Sequence, residues 1–353
     1  MKYAIIDIGS NTIRLSVYDL GEYLEGKGKR KEEENGEENK QQNGVFSDKF
    51  PISIIFQEKT MVGLASFVNK GKMTDAGIQS AISVLKSYNR ILKKQDVDSV
   101  YVFATASIRN VTNRNSVLKT IQKSTGTKIE ILSAEEEAKK CYIGATSSVN
   151  MTDGVLVDIG GGSTEVVIFE KGEILKAFSM PIGSLNLVPA SPRRSYINRD
   201  ELKRVRKIVI NELEKAGGIK EGADKPILGV GGTLRAIGKI YTHEMSKNTK
   251  YSFAESVSYS EYIFNRDQIA DIYSPIFSKS IPLNLISNFV ESIVSKDKSL
   301  YLSILQIAPD RVRSLPYGLI ILSTIMDETK SKKIILSPSG VREGYLLSKI
   351  NGD

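Results

Sequence analysis

One short pattern occurs twice in this chain, and the repetition constrains the fold more than any other feature. Near the N-terminus, Tyr3 to Tyr18 reads as an apolar strand ending in Asp7-Ile8-Gly9. A polar bend, Ser10-Asn11-Thr12, and a second apolar run holding Arg14 follow it. The form returns 151 positions later, counted from Asp7 to Asp158. There the strand ends in Asp158-Ile159-Gly160, the bend is Gly161-Gly162-Ser163, and a β-branched run begins at Thr164-Glu165. Each copy reads as strand, tight turn, strand, and a repeat at this separation implies two similar halves. Glycines let a backbone approach an anion closely and present consecutive N–H groups to it. Ser163 and Thr164 add hydroxyl donors, and Asp158 at the mouth of the turn could hold a cation over the same phosphate. Taken alone, the Asp158 stretch has an ordinary hairpin with a Gly-rich bend as its alternative. Occurring twice, the pattern suggests facing anion loops with two aspartates between them, a cleft for phosphoryl chemistry.

The 353 residues are enough for two domains with separate cores. No apolar run reaches bilayer length, and Asp7 interrupts the N-terminal apolar stretch too early for a signal peptide. The single cysteine, Cys141, rules out an intrachain disulfide framework. The expected location is the cytoplasm, with no membrane partner. One histidine, His243, excludes metal centres built on several histidines and leaves a carboxylate as the expected catalytic base. A formal charge of +8 favours polyanionic partners. No nucleic-acid recognition motif or aromatic stacking pattern accompanies it, so nucleic acid is not expected.

Along the chain, residues 26–44 mix both charges with glycine and carry no apolar residue. They read as a solvated, mobile insertion. Residues 51–56 predict a strand, Thr74-Asp75 with the apolar stripe after it a capped helix to about Lys94, and Val97 to Phe103 another strand. Ligands collect where such strands end, so Arg109, just beyond, is either a phosphate fork or a solvated helix-start arginine. A short helix and the strand Lys128–Leu132 lead to Ser133. Later, Met180 to Ser184 ends a strand in a turn at Gly183, and a basic helix runs from about Arg199 to Ala216. Gly231-Gly232-Thr233 turns a buried strand into a helix, an arrangement suited to an anion at the helix N-terminus. Residues 241–310 look mainly helical, Lys333 to Leu336 forms a last strand, and Val341 to Ile350 a closing helix. The alternation gives an α/β class.

Ser133-Ala134-Glu135-Glu136-Glu137 opens a helix in which Ser133 and Glu136 have capping-box spacing. Glu135 and Glu136 can pair with Lys139 and Lys140 on a wet face. Glu137 instead lies beside the stripe of Ala134, Ala138, Cys141 and Tyr142. A carboxylate turned toward a drier face suits proton abstraction, though all three glutamates also simply favour a helix N-terminus.

These segments together resemble the exopolyphosphatase / guanosine pentaphosphate phosphatase family of the actin-like, sugar-kinase and Hsp70 superfamily. The matching pieces are Asp7 to Asn11 with Arg14, Ala104 to Arg109, Ser133 to Ala138, Asp158 to Glu165, Pro181 to Gly183, Gly231 to Thr233, and Ser339 to Gly344. The resemblance implies two actin-like (ribonuclease H-like) domains around an interdomain cleft. On the sequence these are residues 1–132 with 341–353, and residues 133–340. It implies Mg²⁺-dependent (or other divalent-cation-dependent) removal of a terminal phosphate from inorganic polyphosphate or guanosine pentaphosphate, by a homodimer in the short form without an added phosphohydrolase-like domain. Glu137 takes the place of the catalytic glutamate. Asp158, with Glu165 or Asp7, would hold the metal, and Arg109 would neutralise phosphate charge. Backbone N–H groups of Gly9, Ser10 and Asn11 and of Gly160, Gly161, Gly162 and Ser163 would hold phosphate oxygens, with Arg14, Gly183, Gly231, Gly232 and Thr233 completing the phosphate-binding set. Three departures stand out: the 26–44 insertion, Ala134 where the family has glycine, and no arginine after the Gly183 turn. A kinase or a non-catalytic nucleotide-binding actin-like protein of the same superfamily would use similar hairpins.

Overall fold

Strand direction decides where an α/β sheet collects its ligands, and it does so here in two separate units. The computed structural model describes residues 1–21, 52–189, 197–247 and 280–352. The 26–44 insertion, Pro51 and the stretch 248–279 lie outside the described residues. One unit comprises Met1–Asn150 and Val341–Asp353, the other Met151–Gly340.

In the first unit, β1 (Lys2–Ile8), β2 (Thr12–Asp19) and β3 (Ser53–Met61) form an antiparallel meander, while β4 (Ser99–Ala104) and β5 (Glu130–Ile131) run parallel to β1. The sheet order is β3-β2-β1-β4-β5. Alternate residues of β1 and β2 leave opposite faces. Ala4, Ile6, Ile8, Ile13, Leu15 and Val17 pack with helices α1 (Asp75–Leu92) and α3 (Arg114–Thr125). Ile5, Tyr18 and Phe103 pack on the other side with Tyr345 and Leu346 from the C-terminal helix. Between α1 and α3 lies the short helix α2 (Ala106–Arg109), and after β5 comes α4 (Ala134–Ser148).

The second unit repeats the plan. Strands β6 (Gly154–Ile159), β7 (Thr164–Glu170) and β8 (Glu173–Met180) form the meander. Beside β6 lie β9 (Ile227–Val230) and β11 (Lys333–Leu336), both parallel, with the short β10 (Ile281–Pro282) antiparallel at the edge. The order is β8-β7-β6-β9-β11-β10. Helices α5 (Arg199–Lys215), α6 (Gly231–Lys247), α7 (Leu283–Val294), α8 (Lys298–Ile307) and α9 (Leu315–Thr329) surround it. All but two residues of α9 are buried, as its nearly continuous apolar sequence requires. Among the described residues no helix is long and apolar enough to cross a membrane. Each unit thus has the actin-like, ribonuclease H-like topology.

The boundary between the units differs from the one drawn on the sequence. Residues 133–150 belong to the first unit, not to a domain beginning at 133. The reason is packing: α4 lies along the C-terminal helix α10 (Val341–Asn351). Sequence periodicity shows that a helix has an apolar stripe but not which partner covers it.

Helix α4 starts where its sequence dictates. The Ser133 hydroxyl accepts the Glu136 N–H at 3.1 Å, and the Glu136 carboxylate accepts the Ser133 N–H at 2.7 Å. That main-chain hydrogen bond, with the Ser133 hydroxyl, holds Glu136 below the usual carboxylate range. Replacing Ser133 with Ala should cost about 1 kcal/mol in urea unfolding. A depressed carboxylate stabilises above its unfolded pKa and loses that contribution as pH falls through the folded one. Glu136→Gln should therefore be less stable than the parent at neutral pH, and the difference should vanish in acid.

Candidate functional site

Each unit places a tight turn where its central strands end. In the first, the Gly9 N–H donates to the Thr12 carbonyl at 3.0 Å, and in the second the Gly160 N–H donates to the Ser163 carbonyl at 2.9 Å. A Cβ at Gly9 would lie 3.2 Å from the Thr12 oxygen, and one at Gly160 would lie 3.1 Å from the Ser163 oxygen. Both turns are tight for the same reason, and the repeat read from the sequence is a repeat of backbone geometry.

The chain after the third strand of each meander then ties the turn from one side. Val62 and Gly63 donate their N–H groups to the Asn11 carbonyl at 2.9 and 2.8 Å, and Ala65 donates to the Ser10 carbonyl at 2.9 Å. In the second unit, Ser184 N–H donates to the Gly160 carbonyl and Leu185 N–H to the Gly161 carbonyl, both at 2.9 Å. The Asn186 amide reaches the Gly162 carbonyl at 3.0 Å. In a planar trans peptide the N–H points opposite to its carbonyl. Tying these carbonyls back therefore aims the N–H groups of Asn11 and Thr12, and of Gly161, Gly162 and Ser163, away from the tie. Gly9 and Gly160 were expected in the anion cradle, but their N–H groups are used inside the turn.

Gly183 differs from expectation in the same way. Its N–H donates to Asn186 Oδ1 at 2.7 Å, and a Cβ there would sit 2.5 Å from the Gly161 carbonyl carbon and 2.6 Å from the Gly162 nitrogen. It is glycine because main chain lies against it, so it supports the turn from behind. Gly231 has φ +86°, and a Cβ would fall 2.0 Å from Asp158 Oδ1. It leaves room for the Asp158 carboxylate at the start of α6. Gly232 follows it, and Thr233 is buried with its hydroxyl accepting from Arg311 Nη1 at 3.3 Å.

The side chains facing these turns differ between the units. Asp7 pairs in register with Arg14, and Arg14 with Lys59. Asp158 pairs with Glu165, and Glu165 with Ser179. Residues directly opposite on adjacent strands leave the same face, with Cβ atoms about 5 Å apart. The first unit thus presents a row ending in two cations, the second a row of two carboxylates with Ser179 Oγ donating to Glu165 Oε1 at 2.8 Å. Among the described residues there is no group of three or more His, Cys, Asp or Glu side chains placed to share a metal. Two carboxylates on one face still suit Mg²⁺, which keeps several waters and takes its remaining oxygens from phosphate.

Arg109 and Glu137 come together in the first unit. Arg109 is carried past the end of β4 by α2, where Ser107 Oγ donates to the Ile8 carbonyl at 3.0 Å and fixes the segment beside the first turn. Arg109 Nη1 donates to Glu137 Oε2 at 2.5 Å and to the Leu132 carbonyl at 3.1 Å. Glu135 and Glu136 are exposed, whereas Glu137 is buried. Glu137 meets its counter-charge where it is withdrawn from solvent. Arg109 is thus neither a solvated helix-start residue nor open to phosphate on every side.

Three elements escaped the sequence reading: the 62–65 tie, Asn186, and the arginines Arg235 and Arg311. Burial pulls Arg311 below the ordinary arginine value, Asp310 and Asp158 oppose that shift, and Arg235 adds to it. Arg235 Nη1 donates to the Pro338 carbonyl at 3.0 Å. Val62-Gly63-Leu64-Ala65 parallels Ile182-Gly183-Ser184-Leu185 in the sequence, a signal that could have revealed the first tie. Nothing local marks Arg311, whose hydroxyl partner Thr233 lies 78 positions away.

A sequence model of the Ppx/GppA phosphatase family matches residues 41–352. The bifunctional 3-dehydroquinate synthase/phosphatase of Fusobacterium nucleatum is 30% identical over 190 residues, which is 52% of this chain and 25% of that protein. Exopolyphosphatase 1 of Mycobacterium tuberculosis is 27% identical over 213 residues, 57% of this chain and 54% of that protein. The match thus spans from a quarter to about half the length of these relatives. An exopolyphosphatase from Cytophaga hutchinsonii has the same fold, with a TM-score of 0.74 at 20% identity over 100% of this chain and 98% of that one. Because Gly183 backs directly onto the Gly161–Gly162 peptide, Gly183→Ala should lower the unfolding free energy by about 1–3 kcal/mol in urea denaturation.

Proposed function

The chain belongs to the Ppx/GppA phosphatase family, and from that premise we propose that it removes the terminal phosphate of inorganic polyphosphate by hydrolysis. The observation that carries this reading is Glu137: a buried carboxylate on the first turn of α4, held by Arg109 at 2.5 Å beyond the ends of parallel strands. In this reading the Glu137 carboxylate accepts the proton of the attacking water. Arg109 fixes the orientation of that carboxylate. As the glutamate takes the proton, the pair loses its charge balance, and the arginine charge becomes available to the phosphate oxygens.

In each unit the turn offers peptide N–H groups to phosphate oxygens, those of Asn11 and Thr12 in the first and those of Gly161 to Ser163 in the second. Arg14 and Lys59 add positive charge in the first unit, and Arg311 does so in the second. Phosphoryl transfer requires alignment and charge neutralisation more than covalent chemistry, which is what such donors supply. Asp158 and Glu165 would hold a divalent cation, whose contribution when bound is to neutralise charge developing on the phosphate oxygens. Ser179 orients Glu165 for that task, and Gly231 leaves Asp158 its place.

Phosphate release in the presence of Mg²⁺ should be seen on long-chain polyphosphate, with guanosine pentaphosphate assayed beside it. Glu137→Gln should lower kcat by about 10²–10⁴-fold with little change in KM. Near-normal turnover in that variant would defeat the assignment. Asp158→Asn should raise the Mg²⁺ concentration needed for half-maximal activity, and a variant unchanged in its Mg²⁺ dependence would remove Asp158 from the cation site.

A further inference from the structure

Helix α10 carries Gly344 against the main chain of α4. A Cβ built at Gly344 would lie 1.7 Å from the Lys140 carbonyl oxygen and 2.7 Å from the Gly144 nitrogen, where ordinary contact starts at 3.4 Å. These atoms are helix backbone, so no side chain can swing aside. Lys140 is one helical turn beyond Glu137.

The helix bearing Gly344 is itself pinned to the first sheet. Tyr18 Oη donates to Glu343 Oε1 at 2.7 Å, Arg342 Nη1 to Ser16 Oγ at 2.7 Å, and Tyr345 Oη to Glu130 Oε2 at 2.8 Å. Tyr18, Ser16, Arg342, Glu343 and Tyr345 are buried. Burial and the Glu343 charge both raise the Tyr18 phenol well above its ordinary value, so it remains a donor. With α10 anchored on its sheet side, any added volume at 344 is relieved by moving α4. The first turn of α4 then moves relative to Arg109, which is tied separately to the Leu132 carbonyl.

We infer that Gly344 is a positioning residue for Glu137: its missing side chain sets how deeply α4 seats, and so where the carboxylate meets the attacking water. This rests on the reading of Glu137 as general base. A misplacement on the order of 1 Å in a catalytic group costs about 10²-fold.

The test measures kcat and KM for long-chain polyphosphate with Mg²⁺ in the full chain, comparing the parent, Gly344→Ala, Glu137→Gln and the double variant. Gly344→Ala should lose about 10²-fold in kcat, with KM within about threefold because the phosphate turns are untouched. The double variant should be no slower than Glu137→Gln alone, since both changes act through one group. Multiplying losses, a folded Gly344→Ala with normal kcat, or a loss appearing mainly in KM would each overturn the inference while leaving Glu137 as base. Normal turnover in Glu137→Gln would overturn both. Should Gly344→Ala fail to fold, Tyr18→Phe removes one of the hydrogen bonds that pin α10 to β2, leaving Arg342–Ser16 in place and adding no bulk. It should lower kcat by up to about tenfold at unchanged KM, and an unchanged kcat there would equally reject the role.

Discussion

A trans peptide cannot turn its carbonyl one way without sending its N–H the other, and both halves of this protein depend on that constraint. In each, the chain following a three-stranded meander returns to the first hairpin and hydrogen-bonds the carbonyls of its turn. The outward-pointing N–H groups are therefore set from behind, by the chain that ties the turn. Gly183 shows how closely the support approaches, with no room even for a methyl group against the Gly161–Gly162 peptide.

On this duplicated scaffold the side chains have diverged. Equivalent register positions hold Asp7, Arg14 and Lys59 in one unit and Asp158, Glu165 and Ser179 in the other. The aspartate persists, while its neighbour changes from cation to carboxylate. One row carries net positive charge and the other net negative charge. A β-sheet allows such a change at little cost, because a cross-strand position can be altered without disturbing the hydrogen-bond ladder beneath it.

Much of this was legible in the sequence, and the unreadable parts share a cause. The hairpins, the capping box at Ser133 and the drier orientation of Glu137 are set by neighbours within a turn or two, so spacing revealed them. Alternating strands and helices gave the α/β class for the same reason. The division after Asn150 was missed because α4 is covered by α10, which comes after the entire second unit in sequence. Arg311 was missed because its environment is assembled from Thr233 and Arg235 on α6 and Asp158 on β6, all far from it in sequence. Gly9, Gly160 and Gly183 were recognised as necessary, but their task is to shape the turns, a distinction that only three-dimensional contact reveals.

The packing of α10 into the first unit also orders events during synthesis. Residues 134–148 leave the ribosome long before residues 341–351, with the whole second unit translated between them. The nascent first sheet therefore stands with one face uncovered, exposing the side that Tyr345 and Leu346 will later occupy. The second unit is continuous in sequence and can close around its own core meanwhile, as domains generally do during translation. The helix bearing Glu137 reaches its final seat only after that delay. The seat of Glu137 is then among the last parts of the fold to be completed, and the long separation of its contacts makes this docking a slow step.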